Sequence, residues 1–240
     1  MSVYFQKFPT MQYDMYDDGH TLEFVDLFRT VRPKPSIKED LLLYSKYTIK
    51  DGERPDHLSQ KFYGSPDYYW TFFMINENLV NLHTDWPLSR KEFEVMIKQK
   101  YDGYVLTTEQ DISTGFVKGE TVQGLISGAT ATLESKDCNV NTLRIVDLQG
   151  QFRSDELVLG LTSGNTVSIT GQTEFYNATH HYINSNGDVV DKSELDATEV
   201  TYYEYEKQLN DDKAEIRVIR PAYIIRVAQE FFKQINPLAN

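Results

Sequence analysis

Residues 47–78 read YTIKDGERPDHLSQKFYGSPDYYWTFFMINEN, and the fold turns on this stretch. It opens on a short alternation in which Tyr47 and Ile49 face one way and Thr48 and Lys50 the other, the period of a half-buried strand. Asp51-Gly52 is a turn dipeptide, because glycine tolerates positive φ and the Asp side chain can bond the backbone ahead of it. Pro55 suits the first turn of a helix, where a missing N–H costs nothing. Leu58 and Phe62 lie four apart on one face of that helix, and Gly64 can end it with a left-handed cap. Ser65 can cap a second helix with Pro66 just inside it. Along that helix Tyr69, Phe72, Phe73 and Asn76 recur at three- and four-residue spacing, with Trp70 and Met74 on the adjoining face. The stretch predicts a strand, a tight turn and two short helices.

That order resembles the lysin motif (LysM), whose tyrosine-led strand, glycine turn, paired helices and late asparagine match Tyr47, Gly52, Leu58, Phe62, Gly64 and Asn76. The chain departs from the motif after the glycine, where Glu53-Arg54-Pro55 stands in place of the usual Asp-Thr. The departure falls in the loop with which LysM domains hold glycan.

The strand at Tyr47 needs a ladder partner for its N–H and C=O groups, and the residues just after the second helix offer none. Glu215-Ile216-Arg217-Val218-Ile219-Arg220, ahead of Pro221, is strand-like. Ile216 to Arg220 is expected to supply the partner, with Ile216 and Val218 joining Tyr47 and Ile49. Everything from about Leu79 to Ala214 then becomes an insertion in a strand–helix–helix–strand module.

Outward from this module, Met1 to Gly19 is aromatic and irregular, with Tyr4, Phe5, Phe8, Tyr13 and Tyr16 among polar residues. Such a segment cannot form its own core and is expected to lie across the domain or reach into a neighbour. Thr21 to Val31 reads as a short helix burying Phe24, Leu27, Phe28 and Val31, stopped by Pro33 and Pro35. Ser36 to Glu39 has the form of a capping box, yet Leu41 to Lys50 reads as mostly extended. Past the second helix, a connection ends in Trp86-Pro87-Leu88, and Ser89 with Glu92 forms a further capping box before Phe93, Ile97 and Tyr101 at helical spacing.

From Gly115 to about Gly171, helix formers give way to Gly, Thr, Ser and Val, and the chain repeats itself. FVKGETVQGLISGATAT from Phe116 matches FRSDELVLGLTSGNTVS from Phe152 at a constant offset of 36 residues. Phe116 pairs with Phe152, Glu120 with Glu156, Gly124 with Gly160, and Ser127-Gly128 with Ser163-Gly164. Thr142 to Val146 is a further alternating strand between the copies. Each unit is too small to bury a hydrophobic face alone, so the two are expected to pair into one antiparallel barrel or sandwich. No Lys-Ser/Thr or helix start follows the glycines, so they are turns and not a phosphate cradle.

Beyond the repeat, His180-His181-Tyr182-Ile183 and Gly187-Asp188-Val189-Val190 suggest a hairpin around Asn184 to Gly187. Adjacent histidines on a strand point to opposite faces, which makes them poor joint ligands for a metal. Thr201 to Asp212 reads as a tyrosine-rich, acidic helix. Ile224, Ala228, Phe231 and Ile235 form one apolar stripe, so the chain closes on an amphipathic helix, a core element that is also easily lent to a partner. The fold class is α+β. Its parts are an N-terminal arm (1–46), a LysM-like core with the following helix (47–114), an inserted all-β domain built from a two-fold repeat (115–175) and a return to the core (176–240).

With 240 residues the chain can build a real core. Its 16 Tyr and 13 Phe suit burial against partners or simply a Tyr-rich core. A net charge of −12 argues against nucleic-acid binding, since nothing displaces phosphate counterions over a broad face. Cys138 is the single cysteine, which excludes an intramolecular disulfide and a cysteine metal cluster. No apolar run reaches membrane-spanning length and no signal peptide is evident, so a soluble protein of a reducing compartment is expected. There is no serine elbow, P-loop, dinucleotide glycine pattern or HExxH, and Cys138 has no nearby His. No catalytic residue, cofactor or metal ligand is therefore assigned.

The run from Asp51 through Tyr63-Gly64, Tyr69-Trp70, Asn76 and Trp86-Pro87-Leu88-Ser89 to Lys100-Tyr101 is similar to the LysM-like baseplate wedge subunits of T-even-type contractile-tailed bacteriophages. So are His180-His181-Tyr182, Tyr203-Glu204-Tyr205-Glu206, Leu209-Asn210-Asp211 and Arg220-Pro221-Ala222-Tyr223. The likeness covers roughly Phe5 to Tyr104 and Thr179 to the C-terminus, leaving the repeat outside it. It implies a structural virion protein, assembled in the host cytoplasm, that clamps adjacent wedges around the tail tube. Its partners would be other wedge subunits, neighbouring copies of the wedge and the sheath-initiator protein, with no nucleic acid or membrane. The module's core or interface would then comprise Tyr47, Ile49, Gly52, Leu58, Phe62, Tyr63, Gly64, Tyr69, Trp70, Phe73, Asn76, Trp86, Pro87, Ile216 and Val218. The stripe Ile224, Ala228, Phe231 and Ile235 would form a partner helix. The alternatives are a peptidoglycan-binding module, in which the loops around Gly52 and Asn76 to Leu79 hold N-acetylglucosamine chains, and a tail lysozyme.

Overall fold

The computed structural model describes residues 3–29, 31, 42–81 and 84–236. The N-terminal part contains α1 (Val3–Gln6), β1 (Thr10–Tyr13), β2 (Leu22–Val25), β3 (Tyr44–Thr48), α2 (Pro55–Tyr63), a 3-10 turn at Pro66–Tyr68 and α3 (Trp70–Ile75). The middle contains α4 (Arg90–Lys100), β4 (Tyr104–Thr108), β5 (Thr121–Gly124), β6 (Thr130–Asp137), β7 (Thr142–Gln149), β8 (Leu157–Gly160) and β9 (Thr166–Glu174). β10 (Thr179–Ile183), β11 (Val189–Val190), β12 (Thr198–Thr201) and α5 (Tyr202–Asp212) follow, and β13 (Glu215–Ile219), a 3-10 turn at Pro221–Tyr223 and α6 (Ile224–Ile235) come last. The chain is α+β and divides into two units, residues 1–90 with 210–240 and residues 91–209.

In the first unit, β3 and β13 form a two-stranded antiparallel sheet with Tyr47 opposite Ile216 and Ser45 opposite Val218. This is the partner the unsatisfied edge at Tyr47 called for. The ladder extends at both ends, from the Ile49 amide to the Ala214 carbonyl at 2.9 Å and from the Arg220 amide to the Leu43 carbonyl at 2.9 Å. One apolar cluster joins buried Ile49, Leu58, Phe72, Leu79, Ile216 and Val218 from this sheet, the two helices and the residues after them. A second joins Phe8, Trp70, Ala228, Phe231 and Ile235, and a third joins Tyr44, Ile75, Ile219 and Ile224. α3 is thus buried on more than one side.

Two expectations for the N-terminal arm are corrected. The segment read as a helix over Thr21 to Val31 is a strand at Leu22–Val25, paired with β1 so that Tyr13 faces Leu22 and Met11 faces Phe24. The three- and four-residue spacing of Phe24, Leu27 and Phe28 imitates a helical face, but all three rings and chains are exposed, so no burial rewards a helix. The segment before Gly19 is also less irregular than expected, with a helical turn and a strand. Tyr4 and Phe8 do lie across this unit, with Tyr4 stacked on Phe231 at 5.9 Å between ring centroids. The Ser36–Glu39 capping box, Pro33, Pro35 and Leu41 fall outside the described residues.

In the second unit, six strands close into a barrel in the order β4-β7-β6-β5-β8-β9, with β9 returning to β4. Leu106, Val122, Leu133, Leu143, Ile145, Val158 and Ile169 fill the interior, as expected of a small barrel whose inward positions alternate along each strand. The closing strand Tyr104–Thr108 precedes the boundary at residue 115 drawn from composition. Its YVLTT run reads locally like any short strand, and only its pairing with both β7 and β9 shows that it belongs to the barrel.

The matching turns of the barrel carry matching bonds. Glu120 accepts from the amides of Val117 (2.6 Å), Ser163 (2.9 Å) and Thr162 (3.3 Å), and from the Ser163 hydroxyl (3.1 Å). Glu156, 36 residues on, accepts from the amides of Arg153 (2.6 Å), Ser127 (2.8 Å) and Ile126 (3.1 Å), and from the Ser127 hydroxyl (2.8 Å). Glu120 thus fixes its own strand entry and the turn at Thr162-Ser163, and Glu156 its own and the turn at Ile126-Ser127. Glycine is required opposite each: a Cβ on Gly124 would lie 2.8 Å from the Glu156 oxygens, and one on Gly160 would lie 2.6 Å from Glu120 Oε2. Burial raises both carboxyl pKa values, but the amide and hydroxyl donors outweigh it and hold them below the usual range.

The hairpin of β10 and β11 turns through Asn184 to Gly187, and β12 pairs on the other side of β10. One reading is overturned here. His180 and His181 do not point apart: a register shift between Thr179 and His181 rotates the backbone, and their Nδ1 atoms lie 2.6 Å from one another. His180 also stacks on Tyr205 at 4.3 Å. Among the described residues, no group of three or more His, Cys, Asp or Glu is placed to hold a metal ion, and no helix is long and apolar enough to cross a membrane.

Candidate functional site

The residues selected from sequence converge on the strand–helix–helix–strand module of the first unit. α2 starts at Pro55 and ends at Gly64, whose φ of 72° lets its amide turn back to the Gln60 carbonyl. The 3-10 turn is capped by the Ser65 hydroxyl accepting from the Asp67 amide. Buried Ser59 ties α2 to the 3-10 turn that follows it, donating to the Ser65 carbonyl (2.6 Å) and accepting from the Tyr68 amide (3.2 Å). Tyr63 donates to the Ile219 carbonyl at 3.0 Å, and burial pushes its phenol pKa up.

Asn76 has the most specific role. Its side-chain nitrogen donates to the carbonyls of Phe72 (2.8 Å) and Arg217 (2.9 Å), and its side-chain oxygen accepts from the Arg217 amide (2.7 Å). One carboxamide therefore ends α3 and pairs both backbone groups of a β13 residue, as a neighbouring strand would. Only a side chain with a donor and an acceptor side by side can do this.

The loop after Gly52 is closed by the chain itself. Glu53 accepts from the Tyr47 hydroxyl (2.7 Å), Lys61 Nζ (2.8 Å) and the Lys50 amide (3.0 Å). Partial burial works to raise the Glu53 pKa, but these donors, Lys61 foremost, bring it down to about 2. The Trp86 indole N–H donates to the Glu53 carbonyl at 2.7 Å while its ring lies 5.7 Å from Phe73 and 6.2 Å from Phe72. The Arg90 amide bonds Asp51 at 2.7 Å, and Asn210 brackets Leu88, accepting from its amide at 2.8 Å and donating to its carbonyl at 3.2 Å. Further along, Leu79 is fully buried and Asp85 accepts from the amides of Val80 and Asn81. Both loops that the LysM resemblance marks for glycan are held by internal bonds.

Of the residues chosen from sequence, Tyr47, Ile49, Leu58, Phe62, Tyr63, Phe73, Trp86, Ile216 and Val218 meet in one cluster, with Pro87 half-buried beside Trp86. Gly52 and Gly64 take positive φ at the turn and the cap. Tyr69 and Trp70 belong instead to the cluster of Phe8, Ala228, Phe231 and Ile235. Ile224, Ala228, Phe231 and Ile235 are all buried in this unit, so the stripe is core and not a free partner surface; the open face of α6 carries Ile225. Sequence reading passed over Ser59 and Lys61, and took Leu79 and Asn210 only as parts of a loop and of the resemblance, with no bond or packing role. Glu53 stood out only as a departure from a motif, and no local periodicity marks any of the others.

Chemically the site offers no activated group. Glu53 is ionised and paired, and in the second unit Glu206 is likewise engaged by Lys100 (2.8 Å) and Tyr101 (2.6 Å). A raised-pKa acid beside an ionised carboxylate is not found among the described residues. The family model for base plate wedge protein 53 matches residues 3–122, ending inside the stretch set outside the resemblance above. No curated protein matches the chain.

Proposed function

Because the chain belongs to the base plate wedge protein 53 family, whose members are structural components of the phage tail baseplate, we propose that it clamps adjacent wedges around the tail tube through protein–protein contacts. In this reading a LysM-like scaffold has been turned from holding sugar to holding protein, and the barrel is a two-copy repeat domain set into it. Partners are other wedge subunits, neighbouring copies of the wedge and the sheath-initiator protein, met during assembly in the host cytoplasm.

The observation that carries this reading is the closure of the Gly52 loop by Trp86, whose indole bonds the Glu53 carbonyl while its ring packs beside Phe72 and Phe73. A glycan site keeps convergent polar groups open to its ligand. Here Asp51, Glu53 and Asn76 are already bonded within the chain. This supports a structural role over the runner-up, a peptidoglycan-binding module.

Two measurements test it. The purified chain is expected to wash off peptidoglycan sacculi like an unrelated acidic protein. Phage lacking it are expected to accumulate separate wedges, which join when the chain is supplied. Strong retention on sacculi, or normal baseplates without the chain, would sink the clamp reading. Cell-wall turnover abolished by changing one carboxylate would instead favour a lysozyme.

A further inference from the structure

The hairpin of β1 and β2 has a sided chemistry that the clamp reading does not use. Its register puts Met11 opposite Phe24 and Tyr13 opposite Leu22 on one face, and Thr10 opposite Val25 and Gln12 opposite Glu23 on the other. The first face is apolar and open: Tyr13 is 54% exposed, Leu22 48% and Phe24 37%. In the turn that follows β2, Leu27 and Phe28 are also exposed, at 60% and 87%. A two-stranded hairpin gains little stability alone in water, and one that presents this much apolar surface is suited to being covered.

Charge selects what covers it. Residues 10–28 contain Asp14, Asp17, Asp18, Glu23 and Asp26 and no Lys or Arg. Asp14 is turned inward, accepting from the amides of Tyr16, Asp18 and Gly19 to shape the tip, and Asp26 pairs with Arg29. Asp17 and Asp18 remain exposed at the end of the hairpin. A second copy would bring two such tips together on chains that each carry a net charge of −12, and like charges across an interface are costly. An anionic membrane surface would be repelled for the same reason.

We propose that the apolar face of this hairpin is the docking surface for a different baseplate protein, one that presents an apolar patch edged by Lys and Arg. This rests on the chain's place in the baseplate and adds where one partner binds and with what chemistry. Tyr13, Leu22 and Phe24 supply the buried centre of the contact, and Asp17 and Asp18 supply attraction and register at its edge.

The test uses the full chain in assembled particles, with p-benzoylphenylalanine in place of Leu22 on the apolar face or of Glu23 on the opposite one. After irradiation, the Leu22 probe is expected to join one other particle protein at a peptide combining apolar residues with Lys or Arg. The Glu23 probe should give about tenfold less of the same product, since a face turned from the interface lies outside its excluded-water core. Purified, that partner should bind the Asp17→Asn/Asp18→Asn chain about tenfold more weakly at low salt, with the difference shrinking as salt rises. Asn tolerates the left-handed backbone of Asp17 (φ 54°), so this variant keeps the tip. Crosslinks within the same chain, residues 30–41 included, or to a second copy would overturn the proposal, as would a partner peptide without cations or equal yields from both probes. Particles that lack the chain altogether would instead strike at its place in the baseplate.

Discussion

Glu120→Gln is the sharpest perturbation of the barrel, because it changes one atom's chemistry and almost no volume. In the native chain Oε2 takes the amides of Ser163 and Thr162, and Oε1 takes the Val117 amide and the Ser163 hydroxyl. With the NH2 group in the Oε2 place the Ser163 and Thr162 amides lose their acceptor, whereas in the Oε1 place only the Val117 amide does, because the Ser163 hydroxyl can turn and accept from the new donor. The variant takes the second arrangement, so the loss is that of one buried donor left unmade, about 1–3 kcal/mol. Glu156→Gln removes the same set 36 residues away and should cost the same to within about 1 kcal/mol. Since the chain has two units, hydrogen exchange read by peptide is a better assay than a single melting curve. Peptides spanning residues 121–128 and 157–164 should exchange about 5- to 150-fold faster, with α2 as the internal reference. The native carboxyls titrate below their ordinary value, so the unfolded chain binds more protons in acid. The stabilisation is therefore complete above the ordinary carboxyl pKa of about 4.5 and is lost as pH falls through the lower native values. Exchange within about threefold of the native rate in either variant, or no acid sensitivity, would refute the idea that these carboxylates pin the two turns.

Three further outcomes are expected. Trp86→Phe keeps a ring beside Phe73 but leaves the Glu53 carbonyl without its indole donor, costing about 1 kcal/mol in urea denaturation, and Trp86→Ala should cost about 2–4 kcal/mol by removing the packing as well. Asn76→Asp sets a carboxylate oxygen against the Phe72 and Arg217 carbonyls and should destabilise the first unit by about 3 kcal/mol or more, exceeding Asn76→Ala at about 2 kcal/mol, by the same measurement. Gly124→Ala drives a Cβ into the Ser127 hydroxyl and the Glu156 oxygens and should cost about 1–3 kcal/mol, whereas Gly171→Ala, whose nearest contact is Thr107 Oγ1 at 4.0 Å, should be close to neutral; thermal melting of the two variants side by side decides it.

What the sequence disclosed was local or self-similar. Tyr47 and Ile49 alternate, Leu58 and Phe62 recur at one helical turn, and Ile224, Ala228, Phe231 and Ile235 form a stripe, each pattern set by the element that bears it. The pairing of Tyr47 with Ile216 was legible because an unpaired strand edge demands a partner and few segments remained to supply one. The matching bonds of Glu120 and Glu156 had a sequence trace, because Glu120 and Gly124 recur at Glu156 and Gly160. What stayed hidden was set at long range. Phe24, Leu27 and Phe28 match a helix as well as a strand, and the pairing with Met11 and Tyr13 decides between them. The register shift that turns His180 toward His181 comes from β12, twenty residues away. Lys61 and Asn210 carry bonds whose partners no spacing rule connects to them.

One device recurs in both units: a single buried or half-buried polar side chain takes up backbone groups that no strand or helix pairs. Asn76 does this on β13, and Glu120 and Glu156 do it on the barrel turns. A binding loop works the other way, holding some donors and acceptors unpaired until its ligand arrives. Where the Gly52 loop is tied by Glu53 to Tyr47 and Lys61 and covered by Trp86, a sugar would have to break bonds before making any. Polar satisfaction of this kind lends a small two-stranded module the rigidity a structural part needs, since each bond would cost its full desolvation to open. On the proposal above, recognition would fall to surfaces the internal bonding leaves alone, and in the first unit the open face of β1 and β2 is an apolar example. A rigid centre with an unsatisfied arm is the division of labour expected of a part that joins its neighbours.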